Sequence, residues 1–152
     1  SPSHTVGALR FGPDGKLYAA TGDGAHFDYA DQRSLRAQNL DSLAGKILRL
    51  NKDGTAPTDN PFYNGNPNSN RSKVYAYGFR NAFRFNFRPG TNALYSGDVG
   101  WSSWEEVNKV TAGGNYGWPC REGNTQTVGH TCTAGSVTSG SFPTGSAYPA
   151  QY

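Results

Sequence analysis

Hydrophobic positions along this chain come in short bursts separated by turn-forming residues. "ALRF" (8–11) runs into "GPDG" (12–15) and out through "KLYAAT" (16–21). Pro at the second turn position presets φ and Gly closes the turn, so the stretch reads as a β-hairpin. "GKILRLN" (45–51) is another strand, ended by "KDG". "KVYAYGF" and "AFRFNF" follow as two more, then "RPGTN" turns the chain and "ALYS" returns it. The segment from Gly22 to Ser42 reads as a long polar loop with a short helical turn near 33–39, and 56–72 is a second, Asn- and Pro-rich loop. "WEEVNKV" (104–110) fits helix or strand, "TAGGNYGWP" is a turn cluster, and the pattern fades after Cys120. Long amphipathic helices are missing, which makes the chain all-β.

The pattern repeats. "FGPDGKLYAATGDG" (11–24) and "FRPGTNALYSGDVG" (87–100) both run Phe, a Pro/Gly turn, Leu-Tyr and Gly-Asp. Recurrent hairpins of this kind suggest a propeller or a related radial array. At roughly 40–50 residues per blade, 152 residues hold about two to three blades. Closure takes at least four. The expectation is therefore one partial propeller domain over 1–152, truncated at both ends, with sheet edges that other blades or a partner chain must cover.

Composition narrows the functional classes. The net charge of +3 is small, and basic residues are interspersed with acids, so no stripe suited to nucleic acid forms. No apolar run approaches the ~20 residues of a membrane span. Cys120 and Cys132 bracket an irregular polar loop. A disulfide would stabilise that loop by about 3 kcal/mol in a chain-entropy account; two free thiols are the other reading. The disulfide reading points to a secreted or periplasmic protein.

Three clusters carry candidate chemistry. A two-residue turn at Pro13-Asp14 pairs Phe11 with Lys16 and, extended outward, His4 with Asp23. A carboxylate there would fix the imidazole tautomer, which is the arrangement a general base needs; a bulge at Gly15 would shift the pairing by one. Arg80 and Asn81 could hold a planar anion or quinone, or pair with a nearby acid and cap a turn. Asp98, Glu105 and Glu106 gather acids in "GDVGWSSWEEVN", suited either to calcium or to a solvated acidic loop.

The motifs "FGPDGKLYAATGDG", "QNLDSLAGKILRLNKDGTAPTDNPF", "YGFRN", "GDVGWSSWEEVN" and "GGNYGWP" together resemble the glucose/sorbosone dehydrogenase family, in order and with similar spacing over about residues 4–123. The resemblance implies a six-bladed β-propeller. It also implies oxidation of an aldose at C1, with hydride transfer to pyrroloquinoline quinone (PQQ) in a calcium-dependent enzyme that passes electrons to an external acceptor. By position, it implies His4 as general base, Asp23 as its orienting acid, Arg80 over the reactive quinone carbonyl and Asn81 as a PQQ contact. The carbonyls of Gly100 and Trp101 would bind the calcium that bridges to PQQ, and Glu106 with Tyr116 a second, structural calcium. The family usually has proline where Ala82 stands, and some members have proline where Trp101 stands. A lysine and further arginines that hold the PQQ carboxylates come from later blades in the family, so this piece is expected to be inactive by itself. Some relatives, such as hedgehog-interacting proteins, imply an alternative: a non-enzymatic, calcium-stabilised propeller that binds a protein or glycan.

Overall fold

The computed structural model describes residues 3–28, 31–123, 125–127, 129–130 and 146–149. The expected hairpin forms from β1 (Val6–Phe11) and β2 (Leu17–Thr21), and β3 (Lys46–Leu50) and β4 (Val74–Tyr77) extend it into a four-stranded antiparallel sheet in the order β1-β2-β3-β4. The second sheet begins with β5 (Ala82–Phe87), β6 (Leu94–Asp98) and β7 (Trp104–Val110), again in sequence order, with β10 (Ser146–Pro149) on its outer edge. The ambiguous segment 104–110 is thus a strand, with Glu106, Asn108 and Val110 alternately buried. A short hairpin, β8 (Arg121–Glu122) with β9 (Thr125–Gln126), follows. Two successive antiparallel meanders are the unit that the repeated motif predicted.

The turn between β1 and β2 is one residue longer than expected. Gly12 N–H donates to the Lys16 carbonyl at 2.8 Å, Gly15 N–H donates to the Gly12 carbonyl at 2.9 Å, and Gly15 takes φ +73°. That is a type I turn closed by a glycine bulge. Phe11 therefore faces Leu17, not Lys16. A second irregularity between Val6 and Ala8 removes the offset, and Val6 faces Thr21.

The helical turn expected near 33–39 is a 3-10 helix, Gln32–Ala37. Asp31 caps it by accepting from Arg33 N–H, and the Lys46 ammonium donates to the carbonyls of Arg36, Ala37 and Ala44 at 2.7–3.0 Å. The sequence reading missed one turn of α-helix, α1 (Asn70–Lys73), capped by Ser69.

The core lies between the sheets. Tyr18, Ala20, Ile47 and Ala76 of the first sheet meet Ala82, Phe85, Leu94 and Val110 of the second. With no methionine in the chain, aromatic rings fill the irregular gaps: Tyr18 packs edge-on against Tyr75 and Phe87, and Phe79 stacks on Tyr116 at 4.7 Å. A smaller cluster of Ala19, Leu48, Val74 and Tyr77 lies under Leu40, Leu43 and Phe62 of the long loops. On the edge strand β1, Val6, Leu9 and Phe11 are each more than half exposed. Among the described residues no helix is long and apolar enough to cross a membrane. Cys120 is buried; Cys132, and with it the expected disulfide, lies outside the described residues.

Candidate active site

The chemistry gathers where chain enters the first strand of each sheet. His4 precedes β1 with φ +57°, a left-handed conformation that a side-chain-bearing residue rarely adopts. The surrounding backbone holds it there: Gly24 N–H donates to the His4 carbonyl at 3.2 Å, and Gly22 N–H donates to the Thr5 carbonyl at 2.8 Å. Gly22 is obligatory at this crossing, because a Cβ at residue 22 would lie 2.3 Å from the His4 carbonyl oxygen. Strain of this kind concentrates at functional sites.

The imidazole Nδ1 of His4 is 2.8 Å from Asp23 Oδ1, with both side chains buried. The expected facing of these residues is therefore made, by two register shifts that cancel and not by the simple arithmetic of a two-residue turn. The same Asp23 oxygen accepts from Ala25 N–H at 2.9 Å, and the other accepts from the indole N–H of Trp118 at 2.8 Å. Asp23 is 1% exposed, so these three donors stand in for water around its carboxylate. Its backbone N–H donates to the Arg80 carbonyl at 2.8 Å, which ties the first sheet to the entrance of the second.

Arg80 and Asn81 sit just before β5. Their backbone amides donate to the two oxygens of Asp98, at 3.0 and 2.6 Å, and Val99 N–H donates back to the Asn81 carbonyl. Asp98 thus acts as a clamp on the Arg-Asn pair. Burial and the neighbouring Glu106 raise its pKa well above the ordinary carboxylate value, and the two amides oppose that rise. The Arg80 guanidinium is buried. It donates to the Gly100 carbonyl at 2.7 Å and the Val99 carbonyl at 3.2 Å, and lies 5.5 Å from the Trp118 ring centroid. Burial lowers its pKa, opposed by Asp23, Asp98, Glu122 and Glu105.

Gly100 presents its carbonyl to Arg80, and its N–H donates to Glu105. The next four backbone amides, from Trp101 to Trp104, all point at one oxygen of Glu122. Glu106 faces Asp98 across the sheet, accepts from Gly123 N–H and Asn108 Nδ2, and burial raises its pKa. Tyr116 engages different partners: its hydroxyl accepts from Thr111 N–H and donates to the Lys109 carbonyl. Among the described residues no group of three His, Cys, Asp or Glu side chains gathers as a metal site. One observation nonetheless suits a cation: among the described residues the buried Asn108 Oδ1, on the residue that binds Glu106, has no hydrogen-bond partner.

Sequence reading missed two residues of this site, Trp118 and His130. The His130 ring lies edge-on to Trp101 and Trp118 at 5.6 and 5.4 Å with both nitrogens buried, and burial lowers its pKa. These three rings pack with Ala25, Asp31 and Arg80 around a gap too tight to admit a water molecule.

The glucose/sorbosone dehydrogenase family model matches residues 1–144. The chain belongs to that family. It is 37% identical over 131 residues to quinoprotein glucose dehydrogenase B of Acinetobacter calcoaceticus, covering 78% of this chain and 26% of that protein. It is 41% identical over 142 residues to the HIPL2 protein of Arabidopsis thaliana, covering 81% of this chain and 19% of that protein. Among solved structures, the PQQ-bound form of aldose sugar dehydrogenase from Streptomyces coelicolor superposes with a TM-score of 0.66 at 36% identity, over 84% of this chain and 34% of that one. The chain thus spans about a fifth to a quarter of the curated relatives' length, and its two sheets are blades of a six-bladed β-propeller.

Proposed function

We propose that this chain supplies one catalytic wall of a PQQ- and calcium-dependent dehydrogenase that oxidises an aldose sugar at C1. The observation that carries the reading is the buried His4–Asp23 pair at 2.8 Å, joined through the backbone of Asp23 to Arg80. The family and its quinoprotein members support it.

Asp23 accepts from Nδ1, which leaves Nε2 of His4 as the basic nitrogen. That nitrogen takes the proton of the C1 hydroxyl as the C1–H bond breaks, and the sugar leaves as its lactone. Bound PQQ would supply the two-electron acceptor for the hydride, with an external acceptor reoxidising it. Arg80, whose guanidinium donates to the Gly100 carbonyl, would present positive charge to the bound quinone. Asn81 beside it completes the contact. The carbonyls of Gly100 and Trp101 would hold the active-site calcium, and the Glu106 and Tyr116 region a structural one. Hard oxygen donors of this kind suit calcium.

The domain reading follows from the exposed apolar edge of β1: residues 1–152 form part of a propeller domain, and the parent chain's remaining blades, or a partner, cover Val6, Leu9 and Phe11. A Cys120–Cys132 disulfide and a secreted or periplasmic location belong to the same reading.

The test uses the full-length protein loaded with PQQ and calcium, following sugar-dependent dye reduction over a panel of aldoses. Turnover abolished by His4→Ala with PQQ still bound supports the reading. A protein that neither turns over sugar nor binds PQQ refutes it and leaves a propeller used for recognition of a protein or glycan.

A further inference from the structure

Trp118 stands 95 residues from Asp23 in sequence, yet its indole N–H is 2.8 Å from Asp23 Oδ2, in a buried bond. His4 takes the other oxygen of the same carboxylate. The ring therefore completes Asp23's coordination at the oxygen that His4 does not take. Its backbone is fixed on both sides. Trp118 N–H donates to the Gly78 carbonyl at 2.9 Å, and Gln38 Nε2 donates to the Trp118 carbonyl at 2.6 Å. Gln38 itself pairs with Asn115 through both amide groups. On another side the indole meets the Arg80 guanidinium. One ring thus touches both the carboxylate that orients the base and the cation expected at the oxidant.

We infer that Trp118 is a positioning residue for the His4–Asp23 pair: its N–H holds the Asp23 carboxylate at the angle that keeps the basic nitrogen of His4 aimed at the sugar. The inference rests on the reading of His4 as base. A carboxylate anchored through one oxygen can rotate about its Cβ–Cγ bond, and a donor on the second oxygen stops that rotation. Positioning groups of this kind supply catalytic geometry without touching substrate.

The discriminating variant is Trp118→Phe in the full-length holoenzyme, which keeps a ring and removes the donor. The expected result is a roughly tenfold fall in kcat, the scale of one hydrogen bond to a charged group, with the sugar KM unchanged. In an Asp23→Ala background the same substitution is expected to cost less than about twofold, because the carboxylate through which it acts is gone. Equal losses in both backgrounds overturn the inference and leave Trp118 as packing. Should either variant fail to fold, the unmutated, cofactor-free protein still decides. The Trp118 indole proton, observed by NMR, is expected to exchange slowly with solvent and to lie downfield, as a buried donor to a carboxylate does. Exchange within the dead time overturns the inference. Full turnover by His4→Ala would instead sink the reading of the base. Equal losses in both backgrounds with an inactive His4→Ala sink only the role of Trp118.

Discussion

Replacing Gly22 with alanine adds one methyl group where the chain before β1 crosses the end of β2. That Cβ would sit 2.3 Å from the His4 carbonyl oxygen, 2.5 Å from His4 Cβ and 2.6 Å from its carbonyl carbon. Ordinary contact begins near 3.4 Å, so the two segments must part by about 1 Å, and none of these atoms is the end of a flexible side chain. The separation stretches the Gly22–Thr5 and Gly24–His4 backbone bonds and opens the 2.8 Å His4–Asp23 contact beyond hydrogen-bond reach. Overpacking and the weakened bonds together cost about 2–4 kcal/mol of stability. A 1 Å displacement of the base costs on the order of 100-fold in kcat. Both are measurable in the full-length protein, by thermal melting and by dye-linked sugar oxidation. Gly15→Ala is the control. Nothing lies within 4 Å of a Cβ there, but φ is +73°, so about 1 kcal/mol of stability is lost and kcat is retained. Wild-type kcat in Gly22→Ala would refute the proposed coupling between this crossing and the base. Equal loss of kcat in Gly15→Ala would show that stability, not geometry, sets the rate.

Two further outcomes follow from buried charge. Asp98→Ala leaves the amides of Arg80 and Asn81 without acceptors, at about 1–3 kcal/mol each, and releases Arg80, so both the melting temperature and PQQ affinity are expected to fall; PQQ titration with wild-type affinity would contradict the clamp. Burial pushes the Lys46 ammonium from 10.5 down to about 7, so between those values the unfolded chain binds a proton that the folded chain does not. Stability then rises with pH across that window, by at most about 1.4 kcal/mol per unit, and is flat in this respect below it. The carbonyls of Arg36, Ala37 and Ala44 favour the charged form and narrow that window from its lower end. Urea midpoints of wild type and Lys46→Met should accordingly diverge from pH 7 to 10, with wild type gaining, and parallel curves would count against it.

How much of this was legible in the sequence depended on the range of each contact. The strands and the first hairpin follow from local pattern, because "GPDG" fixes its own turn. The register did not, because one shift comes from Gly15 and the other lies at Gly7, where β1 presses against the backbone of Ala82 and Phe83 in the other sheet. Trp118 was invisible as a functional residue for the same reason, its partner being 95 residues away. The repeat carried more meaning than its role as a fold signal. Each Gly-Asp pair closes the second strand of its sheet, and each buried aspartate holds the chain that enters the first strand of that same sheet. Asp23 does so through the side chain of His4; Asp98 does so through the backbone amides of Arg80 and Asn81. The difference decides what each entrance can offer. Bound by its ring, His4 is oriented with one nitrogen left to act. Because Asp98 takes only the backbone amides, the Arg80 guanidinium turns away from it to the carbonyls of Val99 and Gly100 and to the Trp118 ring. One structural device, used twice with different donors, thus fixes the His4 imidazole and the Arg80 backbone, and the Asp23 N–H bond to the Arg80 carbonyl joins the two.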